Sequence, residues 1–216
     1  MDKKKIFISG GTGYIGRSLI KSLLGKDFEI YALVRAGSEK KLPEGCNIII
    51  GDALNAETFR NKIFPCNTFV QLTGVSHPGP GKKQFFTTVD LASVKASVEN
   101  AVSAGVKNFI YISVSNPAPV MKEYVDVRIE GERIIKESGM NAYIIRPWYV
   151  IGPGHYWPLI FKPVYFIAEL IPGLKDKAVD LGLIKLSKVV NALVYAAENP
   201  RTGIRLITMK QLRNFK

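Results

Sequence analysis

The sequence predicts an α/β fold: a doubly wound, mostly parallel sheet of about seven strands with helices on both faces. Three observations predict it. Short apolar runs alternate with helical stretches along the chain. Several of those runs are continuously apolar, as strands buried on both faces must be. The first run ends in a glycine cluster that leads straight into an amphipathic stretch.

Ile6–Ser9 is the first expected strand, and Arg17–Leu24 is the helix that follows the glycines. Glu29–Arg35 and Asn47–Gly51 are the second and third strands. Leu54–Phe59 then reads as a short helix. Thr68–Thr73 is the fourth strand. The next helix, Ala92–Ala104, places Val94, Val98, Ala101 and Val102 on one face and stops at Gly105, a helix-ending residue. Asn108–Ser113 is the fifth strand. Val125–Ser138 is a helix closed by Gly139, and Ala142–Arg146 is the sixth strand. Val189–Glu198 is a helix stopped by Asn199-Pro200, and Ile204–Thr208 is the last strand. The 216 residues suit a single domain, with 153–186 as a small appendage on the substrate side. In a sheet of this kind ligands sit at the carboxyl ends of the strands.

Two regions break the rhythm. Gly74–Lys83 is rich in glycine and proline and holds His77. Pro153–Gly173 mixes prolines with aromatics, and it holds His155 and the apolar run Trp157–Ile171. That run reads as a lid over the sheet, which implies an apolar or aromatic substrate. Its alternative reading is an amphipathic surface for a membrane or a lipid-soluble substrate. Prolines, Lys162 and Glu169 interrupt it too often for a membrane span.

The formal charge is +12, but the basic residues are scattered and no run exceeds three. Nucleic-acid binders concentrate such charge on one face. The pattern therefore predicts solubility, or steering of an anionic cofactor, over specific nucleic-acid binding. No apolar signal region precedes the first strand. Cys46 and Cys66 lack partners at metal-ligand spacing, so no metal site is expected. Both are expected to be reduced and structural, which suits the cytoplasm.

The glycines carry the chemistry. Gly10, Gly13 and Gly16 fit G-x-x-G-x-x-G, and Gly11, Gly13 and Gly16 fit G-x-G-x-x-G. One glycine makes the tight turn, one admits a pyrophosphate, and one lets helix and sheet pack closely. The helix N-terminus supplies bare N–H groups and a positive dipole end to the phosphates. The pattern predicts a Rossmann-type dinucleotide-binding turn; its plain alternative is a glycine-rich turn that only connects two elements.

The chain resembles the atypical and extended short-chain dehydrogenase/reductases, the NmrA-like and epimerase-like NAD(P)-binding proteins. The resemblance rests on Ser9–Gly16, Gly51-Asp52, Gly105–Ser113, Ser138-Gly139 and Ile145-Arg146-Pro147. It implies that Gly10, Thr12, Gly13, Tyr14, Ile15 and Gly16 hold the dinucleotide. It further implies that Asp52 and Ala53 meet the adenine, although Asp52 also reads as a helix N-cap. Leu72, Thr73 and Gly74 would pass beneath the adenosine ribose. Pro147 and Trp148, with Tyr149 and Val150 beyond, would flank the nicotinamide end, and Ser113 is a candidate both for contact with the cofactor and, with Tyr124 and Arg128, for catalysis. Arg35 ends the second strand where NAD-selective enzymes carry an acid. A guanidinium there suits a 2′-phosphate, with Ser38, Lys40 and Lys41 nearby, and so favours NADP(H), with NAD(H) the alternative. A solvated strand end is the bland reading of Arg35.

The family's catalytic pattern is Tyr-x-x-x-Lys with a Ser or Thr. Here the match is Tyr124-x-x-x-Arg128, and Val114 stands at the hydroxyl position between Ser113 and Ser115. A positive charge about 4 Å from a phenol contributes up to ~4 kcal/mol at an effective dielectric near 20. That is roughly three pKa units, enough to bring a tyrosine from ~10 to ~7. Arg128 is thus expected to activate Tyr124, with the geometry of a fork and not of an ammonium. The plain alternative for Tyr124 is a packing residue. The resemblance implies an NADP(H)-dependent oxidoreductase of a small, partly apolar carbonyl or alcohol. The alternatives are a non-catalytic dinucleotide sensor or scaffold and a sugar-nucleotide epimerase or dehydratase.

Overall fold

The computed structural model of the chain describes residues 3–76, 79–118, 120–161, 163 and 180–216. Seven strands form one sheet: β1 (Lys4–Ser9), β2 (Phe28–Val34), β3 (Asn47–Ile50), β4 (Thr68–Gln71), β5 (Asn108–Ile112), β6 (Ala142–Ile145) and β9 (Ile204–Ile207). Their spatial order is β3-β2-β1-β4-β5-β6-β9, with every neighbouring pair parallel. The expected doubly wound sheet is therefore observed. Strand order reverses between β1 and β4, and that crevice is where such sheets bind dinucleotides.

The period-two alternation of the strands divides the core. Ile6, Ile8, Ile30, Val70 and Ile110 face one side, under helices α1 (Tyr14–Leu24) and α5 (Leu186–Glu198). Phe7, Leu33, Phe69, Phe109 and Ile144 face the other, under α3 (Ala92–Ser103) and α4 (Lys122–Glu137). Phe7, Phe69 and Phe109 lie in register on β1, β4 and β5, with ring centroids 5.1 and 5.3 Å apart. The central strands are thus tied by apolar contact on both faces. Cys66 is buried, and burial pushes its thiol up to about 12.

Several boundaries differ from expectation. α1 begins at Tyr14, directly on the glycine turn, and α4 begins at Lys122, so Tyr124 lies in its first turn. Met121, in the left-handed region at φ 57°, sets the entry to α4. Leu54–Phe59 is not an α-helix: a 3₁₀ turn at Ala56–Thr58 replaces it, capped by Asn55 Oδ1 on the Glu57 N–H. A short α2 (Lys83–Phe85) and a π-helical segment (Phe86–Leu91) run without a break into α3. Two strands of three residues, β7 (Tyr149–Ile151) and β8 (Leu183–Lys185), pair in parallel as a second small sheet. A final short helix, α6 (Met209–Leu212), carries a capping box from Thr208 and Gln211. Most of the expected lid and His77 lie outside the described residues. Among the described residues no helix is long and apolar enough to cross a membrane, and no cluster is suited to a metal ion.

Candidate dinucleotide site and catalytic cleft

The glycine turn leaves β1 at the switch point. Gly10 takes φ 77°, and a Cβ there would stand 2.6 Å from the Leu72 carbonyl carbon. The Gly13 N–H donates to the Gly10 carbonyl at 3.0 Å. A Cβ on Gly16 would stand 2.3 Å from that same oxygen. Gly10 and Gly16 are thus glycines that the turn itself requires; a Cβ on Gly13 would come 3.2 Å from the Gly10 oxygen, and one on Gly11 would come 2.9 Å from the Ile20 side chain. Gly13 stands at the N-cap of α1, and the first turn carries no acid. The opening amides and the dipole end of α1 therefore form a cradle suited to a diphosphate. Arg17 braces the turn, donating from Nη1 to the Thr12 carbonyl at 2.7 Å.

The residues expected to meet the adenosine follow the carboxyl ends of the same strands. Arg35 is exposed immediately after β2. Asp52 follows β3 by two residues; its Oδ1 accepts the Leu54 N–H at 3.0 Å, and its own N–H donates to Thr58 Oγ1 at 2.9 Å. The Asp52 carboxylate thus steadies a local turn. Ala53 packs against the Phe7 side of the core. The Thr73 hydroxyl is buried without a hydrogen-bond partner.

A cavity of about 430 Å³ opens beside the glycine turn. Gly10, Gly13, Tyr14, Ile15, Gly16, Leu72, Ser113, Tyr124, Pro147 and Trp148 line it, together with Val114 and His155. Thr12, Arg35, Asp52, Ala53, Thr73, Gly74 and Arg128 lie outside its wall. The outer wall is aromatic. Tyr149 stacks on Phe161 at 5.5 Å and meets Trp157 edge-on at 5.6 Å. Trp157 Nε1 donates to His155 Nε2 at 3.1 Å, and the His155 ring lies 5.1 Å from Tyr14.

Tyr124 and Arg128 lie one turn apart on α4, but they face different surroundings. Tyr124 reaches the cavity. Arg128 is buried and forms an ion pair with Asp90 of the π-helical segment at 2.5 Å. Its Nη1 donates to the Ile112 carbonyl at 2.9 Å, and its guanidinium lies 5.2 Å from the Tyr124 ring centroid. The expected activation is corrected here. Burial pushes the Tyr124 phenol above its ordinary value, and Arg128 only opposes that rise, while Asp90 adds to it. Burial likewise lifts the Asp90 carboxyl, against the pull of Arg128.

Ser113 also belongs to a buried network. Its hydroxyl donates to Glu132 Oε1 at 2.6 Å. Arg146 grips the same carboxylate, from Nε at 2.8 Å and from Nη2 at 2.5 Å. The Ser113 proton is committed to Glu132, so the oxygen turns lone pairs to any other partner. Asp90, Glu132 and Arg146 are the residues that sequence reasoning missed as parts of the site. One signal was present: Glu132 continues the four-residue spacing of Tyr124 and Arg128 along one helix face.

Residues 10–152, about two thirds of the chain, match the NAD(P)H-binding family. The chain belongs to that family. Within the NAD(P)H-binding proteins, a UDP-glucose 4-epimerase of Vibrio cholerae is 29% identical over 178 residues, covering 70% of this chain and 53% of the relative. A 4-hydroxy-2-methyl-3-oxo-4-farnesyl-3,4-dihydroquinoline-1-oxide ketoreductase of Stigmatella aurantiaca is 22% identical over 194 residues, covering 80% and 56%. The chain thus spans about half the length of these relatives. Among solved structures, the enzyme WbmH of Bordetella bronchiseptica in complex with NAD+ superposes with a TM-score of 0.71 at 17% identity, covering 95% of this chain and 76% of that one. That likeness is one of fold.

Proposed function

We propose that this NAD(P)H-binding protein is an NADP(H)-dependent reductase of a small, partly apolar carbonyl compound. The observation that carries the reading is that Tyr124 and the glycine turn share one cavity, closed on its outer side by aromatic rings. Arg35 at the end of β2 supports NADP(H) over NAD(H), since a guanidinium fork matches a 2′-phosphate. The aromatic wall supports a substrate with apolar surface. Free thiols at the half-buried Cys46 and the buried Cys66 support a reducing compartment such as the cytoplasm.

In this reading Gly10–Gly16 and the α1 amides hold the diphosphate, and Arg35 holds the 2′-phosphate. Asp52, Ala53 and Leu72–Gly74 border the adenosine, while Pro147 and Trp148 border the nicotinamide. NADPH, when bound, supplies the hydride to the carbonyl carbon. Tyr124 gives its phenolic proton to the carbonyl oxygen, which becomes the alcohol, and the phenolate regains a proton from water. Ser113 accepts a hydrogen bond, because its own proton is held by Glu132. Arg128 supports the Tyr124 ring from below.

The test is a titration with NADPH followed by a screen of aromatic and aliphatic ketones. Binding is expected to quench or shift NADPH fluorescence and to raise Tm. Tyr124→Phe is expected to keep NADPH affinity and to lose reduction by about 10²-fold or more. A variant that reduces at the wild-type rate removes Tyr124 from the chemistry. A second reading is a dinucleotide-binding sensor without turnover, supported by the Arg128–Asp90 pair and by Val114 in the cavity wall. NADPH binding without reduction across the screen selects it. An epimerase-like reaction on a nucleotide sugar rests on the relatives alone, and competition by UDP-sugars for the cavity tests it.

A further inference from the structure

Two pairs of side chains face each other beneath the cavity. Tyr124 and Arg128 are four residues apart on α4. Phe86 and Asp90 are four residues apart on the π-helical segment opposite. Phe86 meets the Tyr124 ring at 5.1 Å, and Asp90 meets Arg128 at 2.5 Å. The two helices are therefore locked in a register that serves both members of the pair. Segments of π-helix concentrate at functional sites.

The loop after β4 closes over the ion pair. A Cβ on Gly74 would stand 2.3 Å from Arg128 Nη2 and 2.7 Å from Asp90 Oδ1. The Val75 N–H donates to Asp90 Oδ2 at 3.1 Å. From above, Arg128 is covered by the ring of Tyr124; Tyr111 of β5 lies beside it, 5.8 Å from the guanidinium carbon. The cation is thus held in the interior by a matched anion and is absent from the cavity wall. A lone cation at this place would favour the phenolate, and the paired anion offsets part of that effect.

We propose that Asp90 is a positioning residue for the proton donor: by anchoring Arg128 and offsetting part of its charge it helps to keep the Tyr124 hydroxyl protonated at neutral pH, ready to give its proton to a carbonyl oxygen. The inference rests on the reading of Tyr124 as the acid. The charged and titratable groups nearest Tyr124 are Arg128 from its own helix, Asp90 from the π-helical segment and Tyr111 from β5; Tyr14, Tyr149 and His155 lie in the same cavity wall. Burial of Tyr124 acts in the same direction as Asp90.

The test follows the tyrosine Cζ resonances of the ¹³C-labelled apoprotein through an alkaline titration, with Tyr124→Phe assigning the signal. The wild-type signal is expected to move only above the ordinary tyrosine value of about 10. Asp90→Asn leaves the charge of Arg128 unopposed and is expected to lower the Tyr124 midpoint by about one unit or more, a tenfold change in the phenolate equilibrium. It is also expected to shift the alkaline limb of any reductase pH profile downward. Because a stranded guanidinium threatens folding, Asp90→Asn/Arg128→Lys serves as the second variant. The shorter ammonium keeps a positive charge beneath the Tyr124 ring without a paired anion, and the same downward movement is expected. A merely structural Asp90 lowers Tm without moving the Tyr124 midpoint. An unchanged or raised midpoint in both variants overturns the proposal. Since the titration is read without cofactor, it stands or falls separately from NADPH binding.

Discussion

Gly16 and Arg35 divide the dinucleotide site into its backbone and its charge. At Gly16 a methyl group would meet the Gly10 carbonyl at 2.3 Å, a backbone atom with nowhere to go. Gly16→Ala is therefore expected to cost about 1–3 kcal/mol of stability by overpacking. The same displacement is expected to abolish NADPH binding, and denaturant melts beside fluorescence titration check both. Arg35 is exposed and touches nothing that folding needs. Arg35→Ala is expected to leave Tm unchanged and to weaken NADPH about 10–100-fold, the worth of a hydrogen bond to a charged group, while leaving NADH affinity alone. The glycines were legible in the sequence because their spacing encodes backbone geometry directly. The burial of Arg128 was not. Its partner Asp90 lies far away along the chain, and only the folded register brings the two together.

Among the elements, α4 carries the most chemistry. Its inner face presents Tyr124 to the cavity, Arg128 to the π-helical segment, and Glu132 to β5 and β6. Glu132 is buried, so its removal strands the Arg146 guanidinium and the Ser113 hydroxyl together. Glu132→Ala is expected to destabilise the protein by about 3–5 kcal/mol, measured by urea unfolding. The helical stripe of α4 was visible as a period, but its start was misplaced by three residues because Met121 enters through a left-handed conformation no pattern signals. The π-helical segment was likewise hidden, since Phe86–Leu91 has no sequence signature of its own. Strands β7 and β8 are three residues each, too short for a period-two alternation to register. By contrast, the sheet strands β1, β5 and β6 announced themselves through uninterrupted apolar runs, which burial on both faces demands.

For the molecule as a whole, burial of phenols gives stability an alkaline limit. Tyr111 is pushed up to about 12 by burial, and Tyr124 is raised for the same reason. In the unfolded chain both ionise near ~10. The folded state therefore holds their protons longer, and its advantage is complete below about pH 10 and lost as pH rises through the folded values. Tm is expected to be insensitive to these groups at neutral pH and to fall steeply from about pH 10 to 12, with Tyr111→Phe flattening that fall. The global architecture was the most legible feature, because alternating strands and helices admit few arrangements and right-handed crossovers narrow them further. The switch-point crevice of this sheet is expected to take a phosphorylated dinucleotide. Parallel calorimetric titrations of the purified protein with NADPH and NADH test it most directly. One site per chain is expected to bind NADPH about tenfold or more tighter than NADH, as a charge-assisted phosphate contact requires; no binding of either, or tighter binding of NADH, rules this out.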